Sequence, residues 1–366
     1  MSRSSSPAAG EVRILESLEA FDALEDAWRA LDAAPGLHPF QEFGWLSAWA
    51  HTIGRAEGWQ LRIATLWQRE RLIAALPLAV QRFKGLKILE WLAARVSDYC
   101  DALVAPGVAR HEALGLLWRS IQRRGGFDVA RLRHVRADAH IAATLDALQP
   151  WIETLEDAGG VPIAWPSGDA WYESQSTKMR ERVRYKARRM QSAGFRVELI
   201  ESAGDLDGLI DVLVAQKRPW LAERGLTSMI DAPAGVAFLK RAVSEAARRG
   251  ELHLSVVRND ERIAACDLAF VREGRIYSYI ASFDAEYAKY SFGRLLTDRL
   301  LMWACDTGQR RLDLLLGAYD YKSEYQCTLE PVRTLVLGRT VLGRLAVILY
   351  RRRTLAARLK SGAASP

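Results

Sequence analysis

Six polar and aromatic residues crowd into one short stretch after Gly317: Tyr319, Asp320, Tyr321, Lys322, Glu324 and Tyr325. Carboxylates can take a proton from an incoming nucleophile, phenols can return one to a leaving group, and a lysine can hold an anion. About thirty residues upstream, Tyr290-Ser291-Phe292-Gly293-Arg294 forms a small turn that feeds a helical run of Leu295, Leu296, Leu300, Met302 and Trp303. A helix N-terminus presents unpaired N–H groups and a partial positive charge, so it suits a phosphate, and Gly293 permits close backbone approach. An ordinary helix cap accounts for the same residues. Two further groupings have chemical potential. The loop Ser97-Asp98-Tyr99-Cys100-Asp101 sets two carboxylates and a phenol beside an apolar run, as a site or as a capped loop. The helical segment from Ser176 carries Lys178, Arg182, Arg188 and Arg189 away from a face of Met179, Val183, Ala187 and Met190. Those cations form either a solvated face or a contact for an anionic substrate, to which Arg182 is assigned.

The elements that must position these groups follow from periodicity. Residues 11–15 read as a strand, and Ser17 caps a helix to about Asp32. Residues 40–52 read as a second helix whose aromatics pack a core or, alternatively, form a ligand platform. Residues 61–67 and 72–80 form a hairpin around the turn Gln68-Arg69-Glu70-Arg71. A strand at 88–92, a helix at 111–123, a strand at 128–133, a helix at 137–148 and a strand near 152–155 complete the first half. Pro162, Pro166 and Gly168 mark the passage to the second. There the basic helix, a strand at 195–200 and helices at 206–223 and 233–249 precede an antiparallel meander at 251–258, 263–271 and 276–282. The helix after Gly293 closes at Thr307-Gly308, and residues 312–316 read as a buried strand. Glu70-Arg71-Leu72-Ile73-Ala74-Ala75 and Glu261-Arg262-Ile263-Ala264-Ala265 are near-identical entries to a strand, which points to an internal duplication.

Composition bounds the function. A chain of 366 residues exceeds one ordinary core, so two domains are expected. The charge of +7 is local, because eight of the 51 basic residues and no acid lie beyond Pro331. The body to Glu330 holds 43 basic against 44 acidic residues, which argues against general nucleic-acid binding. The beginning of the chain lacks the apolar run of a signal peptide, and no apolar run approaches the roughly 20 residues of a spanning helix. A cytoplasmic protein is expected, with buried free thiols. The six histidines and four cysteines show no zinc spacing, so no metal is expected.

A meander, a helix start of the type Tyr-Ser-x-Gly-x-Leu-Leu and an ending Gly-x-Tyr-x-Tyr-Lys resemble the GNAT-type acyltransferases. The likeness is to their double-domain branch of CelD-like and FemAB-like proteins. Tyr287, Lys289, Tyr290, Ser291, Gly293, Leu295, Leu296, Gly308, Asp313, Gly317, Tyr321 and Lys322 carry it, with Phe292 where the branch often has proline. The loop of Ser97, Asp98, Tyr99 and Asp101 and the early segment 40–49 are similar to the family's first half. The resemblance implies an α/β (α+β) fold of two tandem GNAT-like domains, each a mixed, largely antiparallel sheet flanked by helices. Their expected bounds are 11–165 and 174–335, with a basic amphipathic tail at 336–366. It also implies an acyltransferase, of N-acetyl type, that uses acetyl-CoA or another acyl-CoA to modify a bacterial surface polysaccharide or its sugar precursor. Tyr290, Ser291, Gly293 and Arg294 would then hold the cofactor. Asp320, Glu324 or Asp267 would deprotonate the acceptor, and Tyr319 or Tyr321 would protonate the thiolate. Strand N–H groups near Ser282 would hold the oxyanion, and Lys322 would contact acidic groups. Asp98, Tyr99 and Asp101 would wall the saccharide or amino-sugar acceptor. A FemAB-like aminoacyl transferase of peptidoglycan and a non-catalytic regulator of a polysaccharide synthase are the alternatives. In the tail, Val341, Leu345, Ile348, Leu355 and Leu359 fall on one stripe beside Arg344, Arg351 and Arg358. Such a helix lies on the inner membrane face, packs on its own domain, or binds an anionic nucleotide regulator.

Overall fold

A computed structural model describes residues 10–200, 204–317 and 320–361, and the chain divides into two compact units, residues 1–157 with 330–366 and residues 158–329. The first unit opens with β1 (Glu11–Leu15), and Ser17 Oγ accepts from the N–H of Ala20 to start α1 (Leu18–Asp22). The helix expected to reach Asp32 is interrupted at Ala23, and α2 (Glu25–Asp32) resumes it. The aromatic segment becomes a 3₁₀ turn at Pro39–Gln41, α3 (Phe43–Trp49) and a π-helical turn at Ala50–Gly54. Its Phe40, Phe43, Trp45, Leu46 and Trp49 are all buried, so these side chains do pack a core.

Next come β2 (Gln60–Leu61), β3 (Ile63–Gln68), β4 (Arg71–Leu76), β5 (Leu78–Phe83), β6 (Leu86–Trp91) and β7 (Leu103–Val104). Pro77 separates β4 from β5, and the two strands join different sheets. One sheet has the order β1-β3-β4-β7; in the other, β5 and β6 pair antiparallel. β6 then pairs parallel with β8 (Val129–Arg136), which follows α4 (Arg110–Arg124). The helix expected at 137–148 is only α5 (Ala142–Asp146), because the Asp101 carboxylate takes the N–H groups of His140 and Ile141. The following strand, β9 (Trp151–Pro162), is much longer than expected and carries the chain into the second unit.

The second unit holds α6 (Gly168–Ser174), α7 (Thr177–Ser192), β10 (Arg196–Leu199), α8 (Leu206–Glu223) and α9 (Pro233–Arg248). Ser176 Oγ caps α7 through the N–H of Met179. The meander is β11 (Leu252–Arg258), β12 (Ile263–Arg272) and β13 (Arg275–Phe283). After α10 (Phe292–Asp306), β14 (Arg311–Leu316) adds to the sheet in the order β10-β11-β12-β13-β14-β9. The antiparallel run β10-β11-β12 repeats the β1-β3-β4 run of the first unit, around the two similar turns seen in the sequence. A final strand, β15 (Thr328–Gly338), returns the chain to the first unit and pairs antiparallel with β8. It leads into α11 (Val341–Ser361).

Candidate active site

Among the described residues, the second unit has one parallel strand junction, and it is short. β13 and β14 pair only as Arg275↔Arg311, Ile276↔Leu312 and Tyr277↔Asp313, after which β13 runs on to Phe283 without that partner. The divergence starts where β13 carries an extra residue: Ala269 faces Ser278 and Leu268 faces Ile280, so Tyr279 is bulged. A bulge bends its strand and strengthens the local twist. On the other side, Leu315 has a φ of 58°, and its N–H donates to Asp313 Oδ1 at 2.9 Å. Both strands therefore turn at their point of separation. Past Tyr277 the backbone edge of β13 is no longer paired with β14, and an unpaired strand edge suits an extended, amide-bearing ligand.

At the end of β13 the chain makes a 3₁₀ turn, Ala285–Tyr290, and passes through Ser291 in the left-handed region with a φ of 56°. Ser291 is the N-cap of α10, yet its side chain makes no cap hydrogen bond. The first-turn N–H groups have no intrahelical acceptor and are left for solvent or a ligand. At Gly293 an added Cβ would meet nothing within 4 Å, so the first turn faces open space. Cations gather around it. The Arg189 guanidinium lies 4.9 Å from the Tyr290 ring centre and donates to the Lys289 carbonyl, and Lys289 Nζ lies 5.3 Å from the same ring. Tyr290 stacks on Phe292 at 5.2 Å, and Phe292 is buried against Phe195, which gives the residue at the usual proline position a packing role. The arrangement is a pocket edge for an anion: uncapped amides, a helix dipole and two neighbouring cations, Arg189 and Lys289.

Behind this edge lies a network that the sequence did not disclose. Asp298 of α10 is buried; its carboxylate accepts from the Tyr325 hydroxyl at 2.6 Å and from Lys186 Nζ at 3.1 Å. Burial pushes the Lys186 ammonium below its usual range, against the pull of Asp298. Burial also pushes the Tyr325 phenol up, helped by the Asp298 charge. Arg182 and Arg294 both bind the Glu324 carboxylate, the latter with Nη1 at 2.7 Å. A lone acid within Leu295-Leu296-Thr297-Asp298-Arg299-Leu300 was the available signal. Replacing Asp298 by alanine strands Lys186 and Tyr325 in the core. The unfolding free energy should fall by about 3 kcal/mol, seen as a lower urea midpoint.

The sequence-based candidates are distributed as follows. Tyr290, Ser291, Gly293 and Arg294 stand together at the start of α10. Lys322 is buried, and its ammonium donates to the Leu315 and Leu316 carbonyls at 2.7 and 3.1 Å, closing the end of β14. Glu324 is exposed and held by Arg182 and Arg294. Tyr319 lies outside the described residues, as do the side chains of Asp320 and Tyr321. In the first unit, Asp98 is half-buried and Tyr99 is 1% exposed beneath the Arg136 guanidinium, 4.8 Å from its ring. Asp101 is buried and accepts from the N–H groups of Ala102, His140 and Ile141 at 2.7, 2.7 and 3.0 Å. Burial raises its carboxyl to about 7 in spite of those donors. In this position Asp101 joins its loop to the segment before α5.

Asp267 is a buried carboxylate facing β13 beyond the junction. It sits on β12 directly opposite Ala281 of β13 and Ser255 of β11. It is 2% exposed, its Oδ2 has no hydrogen-bond partner among the described residues, and burial raises its carboxyl to about 7. The Ala281 carbonyl accepts from Lys217 Nζ of α8 at 2.9 Å. Burial lowers that ammonium to about 8. Two groups tuned near neutrality thus flank the same strand, where proton transfer is most efficient. No group of three or more His, Cys, Asp or Glu placed to hold a metal occurs among the described residues.

Comparison with known proteins matches this geometry. Residues 177–323, the segment holding the diverging strands and α10, match the family described as the acetyltransferase (GNAT) domain. No curated protein matches the chain in sequence. Among solved structures, FemX superimposes with a TM-score of 0.60 at 12% identity, over 88% of this chain and 96% of that one. The C-terminal DUF2156 domain of an Agrobacterium fabrum protein assigned as a lysylphosphatidylglycerol synthetase gives 0.57 at 12% identity, over 91% and 96%. A tandem GNAT protein from the clavulanic acid biosynthesis pathway gives 0.51 at 12% identity, over 90% and 99%. These likenesses establish the fold as a double GNAT fold.

Proposed function

We propose that the chain transfers an acyl group from an acyl-CoA, acetyl-CoA in the simplest case, to an amine or hydroxyl of a saccharide or amino-sugar acceptor. The observation that carries this reading is the gap between β13 and β14 beside the uncapped start of α10. The pyrophosphate fits the first-turn amides at Gly293, and the amide-bearing arm fits the free edge of β13. The acceptor nitrogen attacks the thioester carbonyl, the carbon–sulfur bond breaks, and coenzyme A leaves as a thiol once protonated. Asp267, facing β13 with its carboxyl raised to about 7, is the candidate to take the acceptor's proton, and Lys217 is the cation suited to return one.

Chromatographic measurement of free coenzyme A with acetyl-CoA and a panel of amino sugars and surface-polysaccharide precursors tests the proposal. Acceptor-dependent release is expected. Absence of calorimetric heat with acetyl-CoA and with longer acyl-CoAs would overturn it. The fold shared with FemX and with the lysylphosphatidylglycerol synthetase domain favours a second reading, transfer of an aminoacyl group. That activity would appear as incorporation of labelled amino acid from aminoacyl-tRNA with no response to acyl-CoA.

A further inference from the structure

The tail helix α11 faces two ways. One side docks on the first unit. The Tyr350 hydroxyl donates to Glu153 at 2.7 Å, its ring packs edge-on against Trp151 at 5.5 Å, and Glu153 is itself clamped by Arg131. Gly343 sits so close to the Asp128 carbonyl that a Cβ there would clash, and Thr340 caps the helix while bonding Asp128 at 2.8 Å. Gly343, Ala346, Val347 and Thr354 fall on this docked side. At 100° per residue, the opposite side carries Val341, Leu342, Leu345, Ile348, Leu349 and Leu355. Their exposures run from 40% at Leu355 to 74% at Val341. An apolar stripe that packed on its own unit would be covered; this one points outward while a second face does the packing.

The charges around the stripe are of one sign. Arg344 and Arg351 border it on one side and Arg353 on the other, Arg352 lies within it, and all four are exposed. No acid occurs anywhere from Pro331 to the end of the sequence. A protein partner would generally bring mixed charge, whereas an anionic lipid surface offers phosphates above hydrocarbon, which is the order of groups that an arginine-bordered apolar stripe presents. The helix is not built to cross the bilayer: none of the described helices is long and apolar enough to do so. We infer that α11 seats the first unit on an anionic membrane surface, with Leu345, Ile348 and Leu349 entering the interface and the arginines among the headgroup phosphates.

The test is co-sedimentation of the whole chain with vesicles of phosphatidylcholine, with and without phosphatidylglycerol, at low and high salt. Binding is expected only with phosphatidylglycerol present, and it should weaken with salt. Arg351→Gln with Arg352→Gln should weaken it about thirtyfold, the factor for two surface cations at about 1 kcal/mol each. Leu345→Gln with Leu349→Gln should weaken it by at least about tenfold. All four positions are exposed, so the variants should melt with the parent, and circular dichroism checks this. Absence of vesicle binding, or binding indifferent to both pairs, overturns the inference. So does a concentration-dependent dimer that Leu345→Gln with Leu349→Gln dissolves while vesicles fail to bind, which would assign the stripe to a second copy of the chain.

Discussion

Replacing Gly293 by glutamate should remove acetyl-CoA binding while leaving the melting temperature nearly unchanged. The two halves of that expectation have different causes. A Cβ at Gly293 meets nothing within 4 Å, and glycine there is helical rather than left-handed, so the backbone tolerates any side chain. A carboxylate in the first turn of α10 also complements the helix dipole, worth a few tenths of a kcal/mol. In the bound state the same carboxylate stands where the pyrophosphate would be. Two like charges ~5 Å apart at an effective dielectric of ~20 repel by about 3 kcal/mol, at least about a hundredfold in Kd. Titration calorimetry on Gly293→Glu and Gly293→Ala checks it. The alanine variant should keep most of the affinity, because it adds volume to open space without charge. Equal loss in both would point to disturbance of the turn rather than to anion repulsion.

Stability of the second unit should fall as the pH rises from about 4 to about 7, by about 4 kcal/mol for the full shift of Asp267. The sign follows from proton counting. The Asp267 carboxyl titrates near 3.8 when unfolded and near 7 when folded, because burial disfavours its anion. Between those values the folded chain holds a proton that the unfolded chain has released, so each pH step favours unfolding. Above the folded value both forms are ionised and the loss is complete. Urea midpoints at a series of pH values should show this slope, and Asp267→Asn should flatten the part belonging to the second unit. The first unit keeps a contribution of the same sign from Asp101, raised to about 7 by burial. An unaltered slope in the asparagine variant would mean that water reaches the carboxylate. In catalysis, the same variant should remove the rising limb of the pH–rate profile near 7 if Asp267 takes the acceptor's proton.

The meander, the basic helix and the turn into α10 were legible in the sequence because each rests on local signals. Alternation marks β11 to β13, Ser176 caps α7, and Thr307-Gly308 ends α10. The GNAT resemblance of the second half was legible too, since its residues lie close together in the chain. What stayed hidden depends on partners far apart. The parallel junction of β13 with β14 ends after three residue pairs, a fact of tertiary register that alternation cannot show. Lys186 falls by periodicity on the apolar face with Met179, Val183 and Met190, and no local signal shows the partner that holds it there, Asp298, more than a hundred residues away. Lys322 offered itself as a reactive cation, and the two carbonyls that hold it are exposed to it only by the bend at Leu315. The helix expected at 137–148 lost its first turn to Asp101, whose carboxylate draws two backbone amides out of the helical ladder.

The path of β9 and β15 makes the second unit an insertion within the first. The first unit is interrupted after Asp157 and resumes at Glu330, and β8, paired with β6 on one side, gains its second neighbour only when residues 332–338 of β15 arrive. During synthesis, the contiguous stretch 158–329 can therefore close its sheet while the first unit still shows an open strand edge. Joining Arg136 to Val332 closes a loop of roughly two hundred residues, an entropic cost met late because the inserted unit must already be compact. A ribosome-bound chain would thus carry its acyl-transfer domain folded before the unit that bears α11 is complete.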